Sequence, residues 1–506
     1  MSINYIPNDP LAASAAPGIR AKTKRPNRPA SRAGFTLSNG TAEGTFDPGT
    51  AEFLFWQCRE AGLAALEAWE AVAGTFARWQ GNRKKMALLQ DQGVDINAFY
   101  DRDSFSFFHR QIGDKVFFSG ASTDVVAHEV GHGLLDALRP DLWDATFLET
   151  GAFHEAFGDC VAILTALNDP ETRTKLLASA PSLKKKNFVE STAEELSDGI
   201  RRLVPTHNAS EPRHAHNDFQ FAIPETLPDT GGPGELINEV HSFGMLFSGC
   251  FYDLIGKIFA AQSTQTSASL LAALKIAGGL LMGGAATAEI GPRFLQAVGR
   301  AMVLADEDQN GGQHRDLIRE AFAGHNIQLG ANALLAPVAV LAGKAPGVSR
   351  RPKVAAATRK DLADRLGLGK GARLSVEAAE LPGRRVARVV HMREVPLGSV
   401  DKRLKGVTAA APVAVIVGAS NGRAVIMGGL PETVSTDREV ESFVRSLVKN
   451  GQIEFGGGKN GAAASARSAA GPAGRKPVSR ETHRVRSVGG KKVLQRVRFH
   501  CDCRDR

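Results

Sequence analysis

DVVAHEVGHGLLDALRPDLWDATFLETGAFHEAFGD, residues 124–159, is the stretch from which the rest of the chain is read. It places His128, Glu129 and His132 in the pattern H-E-x-x-H and sets Glu155 and Asp159 four residues apart further on. Residues i and i+4 of an α-helix share a face, so His128 and His132 can turn two imidazoles to one point. Such a pair suits a zinc ion, which takes nitrogen and oxygen ligands and keeps one position open in catalytic sites. Glu129 stands about a third of a turn away, where a carboxylate can take a proton from a water on such an ion. The competing reading is a chance match on a solvated helix face. The apolar runs Val116-Phe117-Phe118 before it and Val125-Val126-Ala127 within it favour a buried helix and a metallohydrolase.

The third ligand is not in the same helix. Positions 135 and 138 are Leu135 and Leu138, which excludes the metzincin continuation of the motif. Glu155 follows His132 after enough chain for a helix end, a turn and a second helix. Asp159, one turn beyond, can accept the free ring N–H of a ligating histidine and so fix its tautomer. Phe153, Phe157, Val161 and Leu164 surround these acids, which argues for a buried helix rather than a surface one.

These residues resemble the thermolysin family of zinc peptidases, the gluzincins. The matching runs are INAFYD at 96–101, STDVVAHEVGH at 122–132, ETGAFHEAFGD at 149–159 and EVHSFGMLFSGCFYDL at 239–254, in the family's order. The resemblance covers about 91–330. It implies zinc on His128, His132 and Glu155, Glu129 as general base, and Asp159 behind a ligand histidine. It also implies that Asn97 and Ala98 hold an extended substrate as an added strand, and that His241 stabilises the oxyanion. Tyr252 then matches a structural tyrosine. The implied fold is α+β, a thermolysin-like two-lobed catalytic domain with a mixed β lobe and an α-helical lobe.

The departures are as specific. The family's oxyanion tyrosine is Thr146 here, leaving His241, the zinc and Trp143 around the developing charge. The arginine that grips a substrate carbonyl is matched to Arg201 or its neighbour Arg202. Glu235 and Glu239 both stand before His241 as candidates to orient it. Asp124 matches a calcium ligand, but the acids expected after Asp159 are sparse, so a calcium site is doubtful.

Composition places these motifs in a longer chain of 506 residues. Residues 1–40 read as a disordered basic leader and 41–90 as a helical segment, with apolar spacing through Phe53, Trp56, Leu63 and Leu66. The peptidase domain is expected at 91–340 and a linker at 341–372. A small C-terminal α+β domain follows at 373–455, then a Gly/Ala-rich spacer and basic tail at 456–506. Hairpins are expected at Ser420-Asn421-Gly422 and at Gly489-Gly490. The net charge of +9 is uneven: thirteen Lys/Arg stand against three acids after residue 455, and six against one in residues 1–34.

Basic ends of this kind can meet nucleic acid but are more often solvated arms. The five cysteines are odd in number and three sit in apolar helical runs, which favours reduced thiols and a cytoplasmic setting. No secretory signal and no apolar run long enough to span a membrane is read in the sequence. The expected activity is that of a zinc-dependent endopeptidase on peptide or protein substrates. The alternatives are a zinc-binding pseudo-peptidase of weak turnover and a scaffold or nucleic-acid-binding protein acting through its basic ends.

Overall fold

Helix α1 (Ala51–Ala73) begins where the Thr50 hydroxyl accepts from the Phe53 amide and ends at Gly74. Phe53, Trp56, Leu63, Leu66 and Trp69 are all buried, so this helix runs through the interior, and other elements wrap it. The computed structural model describes residues 2–14, 16–38, 40–203, 213–232, 234–330, 340–346, 352–369, 371–381, 384–430, 436–455 and 480–501.

The expected leader is not disordered where it is described. Strands β1 (Ser2–Tyr5) and β2 (Arg20–Thr23) pair antiparallel, and β3 (Gly34–Leu37) enters the main sheet. The cause is charge complementarity invisible to composition. Lys22 and Arg25 pair with the buried Glu60 of α1, Arg28 and Arg32 with Glu70, and Arg20 with Asp169. Cations engaged in this way are not a free basic arm.

The main sheet adds β4 (Lys85–Leu89), β5 (Ala98–Tyr100) and β6 (Ser104–Phe107), and its order is β21-β5-β6-β4-β3, where β21 is Phe499–His500. A hairpin of β7 (His109–Ile112) and β8 (Lys115–Phe118) leads into α2 (Thr123–Leu138). Helix α3 (Leu148–Asn168) lies against α2 and is followed by α4 (Pro170–Ser179). Next come the short pair β9 (Ser191–Thr192) and β10 (Arg213–His214), with α5 (Glu194–Leu203) between them in sequence. Helices α6 (Val240–Ala260), α7 (Ser267–Thr287), α8 (Phe294–Asn310) and α9 (Arg315–Gly324) follow, with α6 packed on α3 and α7 on α8. By length and composition α6 and α7 could each cross a membrane, but most of the apolar window of each is buried inside the fold.

The described residues after α9, β21 apart, form two further five-stranded sheets. In one, β11 (Val340–Lys344), β12 (Ser375–Leu381), β13 (Arg384–His391), β16 (Val413–Ser420) and β17 (Arg423–Ile426) take the order β11-β17-β16-β13-β12, with α10 (Ala356–Arg365) beside β11. The stretch expected as a linker therefore supplies a strand and a helix to this sheet, because the β11 backbone pairs with β17.

The second sheet is β14-β15-β20-β19-β18, made from β14 (Glu394–Pro396), β15 (Val407–Ala410), β18 (Ile453–Glu454), β19 (His483–Val488) and β20 (Lys491–Arg496). Helix α11 (Thr436–Lys449) also belongs to this part of the chain. Both expected hairpins form, and their central residues Asn421, Gly422, Gly489 and Gly490 all take positive φ, as tight two-residue turns require. Residues 480–501, expected as part of a basic tail, are thus folded; the expected spacer at 456–479 lies outside the described residues.

The late sheets lie on the helical core. Ile290 and Ala414 exchange backbone hydrogen bonds, Arg388 pairs with Asp141 at 2.6 Å, and the Trp143 indole donates to the Arg496 carbonyl at 3.1 Å. The overall class is α+β, as expected.

Candidate metal centre and active site

Helices α2 and α3 cross where each carries a glycine. A Cβ on Gly131 would stand 2.8 Å from the Gly158 Cα, and one on Gly158 would meet the His128 ring at 2.5 Å. This close approach lets the α3 acids reach the α2 imidazoles. Glu155 Oε2 lies 3.3 Å from His128 Nε2 and 3.7 Å from His132 Nε2. The two rings are nearly perpendicular, with centroids 4.7 Å apart.

The polar atoms that face each other here are buried and have no hydrogen-bond partner: His128 Nε2, His132 Nε2, Glu155 Oε2 and both carboxylate oxygens of Glu129. Buried polar atoms are normally satisfied, so a convergent group of them calls for a cation. Ligands about 2.1 Å from a tetrahedral zinc stand about 3.4 Å from each other, close to the spacings seen. His128 and His132 bring a ring nitrogen each within 4.8 Å of the other with Glu129 alongside, and Glu155 Oε2 stands within 3.7 Å of both rings, so the donor set fits a zinc ion.

The surroundings hold the rings in place. Asp159 Oδ1 is 2.9 Å from His128 Nδ1 and receives Arg213 Nη2 at 2.9 Å. Burial would raise the Asp159 carboxyl, but Arg213 and the His128 hydrogen bond outweigh it and hold it at about 2. Burial and Arg213 push the His128 imidazole down, and the hydrogen bond to Asp159 with the Glu155 carboxylate close by overcomes both, to about 9. Burial carries His132 down to about 3, with Glu155 opposing and His128, His241 and Arg213 adding. Burial raises Glu129 to about 8, with His128 opposing and the Glu155 charge adding. Glu155 itself stays well below the usual range, because His241, His132 and His128 together offset its burial.

His241 enters from the first turn of α6. Its Nε2 is 3.2 Å from Glu155 Oε2, and its Nδ1 is 2.6 Å from Glu239 Oε1. Of the two candidate acids, Glu239 therefore orients the ring; Glu235 instead accepts from the Gly232 amide. Asn97 is buried, with its side-chain oxygen on the Ala98 amide, and Ala98 opens β5. Thr146 presents no hydroxyl to the centre: its Oγ1 donates to the Asp144 carbonyl and its amide to Ala410. Tyr252 is buried and accepts from Asn187, in keeping with a structural role.

Residues 114–333 match the family model described as fungalysin metallopeptidase (M36). This region is a zinc metallopeptidase domain. No curated protein matches the chain.

Two expectations for the metallopeptidase domain change. Arg201 is half-exposed on α5 and pairs with Asp198, as does Arg202, because both follow that acid by one helical turn. The arginine at the centre is Arg213, almost fully buried. It lies in the run RHAH at 213–216 and donates to Asp159. Beside it, His214 pairs with Glu190. Around Asp124, the neighbouring acids come from Asp9 and from Glu194 and Glu195 rather than from the chain after Asp159, and the Asp124 carboxylate accepts from the amides of Val125 and Ala193.

Proposed function

We propose that this domain hydrolyses internal peptide bonds with a water activated by Glu129, in a thermolysin-like two-lobed arrangement with the site between the β-rich part and the helical part. His128, His132 and Glu155 would hold the zinc. When bound, zinc acts as a Lewis acid on the substrate carbonyl and makes a bound water acidic. Glu129, one residue from a ligand and with both oxygens uncommitted, accepts the water's proton and returns it to the leaving amine. Asp159 fixes the His128 tautomer, with Nε2 left to face the metal. His241 Nε2 donates to the oxygen of the carbonyl under attack, its other nitrogen held by Glu239. Asn97 and Ala98 align the substrate backbone along β5.

The single observation that carries this reading is the convergence of two orphaned imidazole nitrogens and one orphaned carboxylate oxygen, with Glu129 alongside. Because Thr146 turns its hydroxyl away, His241 is the side-chain donor left to the oxyanion. A missing donor of this kind typically costs about 2.7–4 kcal/mol of transition-state stabilisation, so modest turnover is expected. The test is cleavage of a quenched peptide by the zinc-loaded protein, compared with Glu129→Gln. Loss of at least about a hundredfold in kcat with zinc still bound at one equivalent supports the assignment; unchanged turnover in the variant removes Glu129 from it.

A further inference from the structure

In this fold His128, Glu129 and His132 have no solvent exposure, and Glu155 and His241 have almost none. The cover is the strand β21, which comes from the far end of the described chain and pairs antiparallel with β5, Phe499 opposite Tyr100 and His500 opposite Phe99. The Cys501 amide donates to the Ala98 carbonyl at 2.8 Å, and His241 Nε2 lies 2.9 Å from the His500 carbonyl oxygen. One peptide bond, His500–Cys501, thus has its carbonyl on the oxyanion histidine and its N–H on the edge strand.

Side chains secure the segment. The Phe499 ring stacks on His154 at 4.2 Å and on His132 at 4.8 Å, and it meets Trp143 edge-on at 5.4 Å. Cys501 is fully buried, its Sγ 3.5 Å from Arg213. The preceding strand β20 is tied down by its pairing with β19 and β15, so the segment is delivered to the cleft by a folded unit.

We infer that Arg498–Cys501 is an intramolecular inhibitor, a peptide ligand bound along the substrate track in the register of a substrate with His500–Cys501 at the position of the bond to be cut. An extended peptide completing a sheet edge is a recognised binding mode, and a tethered one competes at a high effective concentration. The inference rests on the peptidase reading for the identity of the track, but not for the occupancy itself.

The test uses full-length chains carrying Phe499→Asp, which sets a charge among the His132, His154 and Trp143 rings, or Cys501→Pro, which deletes both the amide donor to Ala98 and the Sγ contact with Arg213. In a zinc-loaded Glu129→Gln background, where nothing can be cut, a fluorescein-labelled peptide RVRFHC (residues 496–501) is titrated by polarisation. Both variants should bind it at least about tenfold more tightly than the chain with the parent segment, the equivalent of about one good interaction. With Glu129 restored, both should cleave a quenched peptide with kcat/KM at least about tenfold higher. Equal peptide binding by the parent and by folded, zinc-loaded variants overturns the inference. Tighter peptide binding with no cleavage by any chain sustains the inhibitor and instead overturns the peptidase reading.

Discussion

Glu239 and His241 form one device at the start of α6. The Glu239 side chain caps the helix by accepting from the amides of His241 and Ser242, while its other oxygen stands 2.6 Å from His241 Nδ1. The residue that begins the helix therefore also sets which nitrogen of the imidazole points at the centre.

Glu239→Ala should lose about 1 kcal/mol of stability from the cap and, separately, lower kcat by about ten- to a hundredfold with KM little changed. Thermal unfolding and steady-state kinetics measure the two effects. Glu239→Gln, which can still cap, should recover the stability and only part of kcat.

Arg213→Ala leaves Asp159 buried without its cation. Breaking a buried pair in this way costs about 3–5 kcal/mol, and weakening the support of a ligand histidine costs about ten- to a hundredfold in metal affinity. Competition with a chelating dye reads the second. The sign of the acid response follows from Asp159, whose folded carboxyl is held at about 2 against an ordinary 3.8. Its contribution to stability is complete above about pH 4 and lost as pH falls toward 2, so the variant should unfold in acid at a higher pH than the parent.

Gly158→Ala places a methyl 2.5 Å from the His128 ring. The ring must move or the helices must part, so zinc binding should weaken more than at a helical glycine with room for a methyl, such as Gly256, where the nearest atom is 4.0 Å away. Metal content after gel filtration, with Gly256→Ala as the control, checks this.

Zinc removal should lower the unfolding temperature, because a ligand that binds only the folded chain stabilises it by about 4 kcal/mol at a thousandfold excess over Kd. Scanning calorimetry before and after chelation measures it. An unchanged transition would mean that the buried polar atoms of the centre do not hold a metal.

The sequence by itself determined the H-E-x-x-H helix, the reach to Glu155 and the Glu155–Asp159 pair, because these depend on residues spaced along two helices, where periodicity places side chains without knowledge of the rest. It also placed the two hairpins, whose turn chemistry is local. Only the tertiary structure decided that Arg213 rather than Arg201 stands at the centre, that Glu239 rather than Glu235 orients His241, and that the basic stretch 22–32 folds onto the acids of α1. It alone brought His500 to His241 across a separation of 259 residues. Contacts of that range depend on sheet edges and chain path, and no local pattern of residues encodes them.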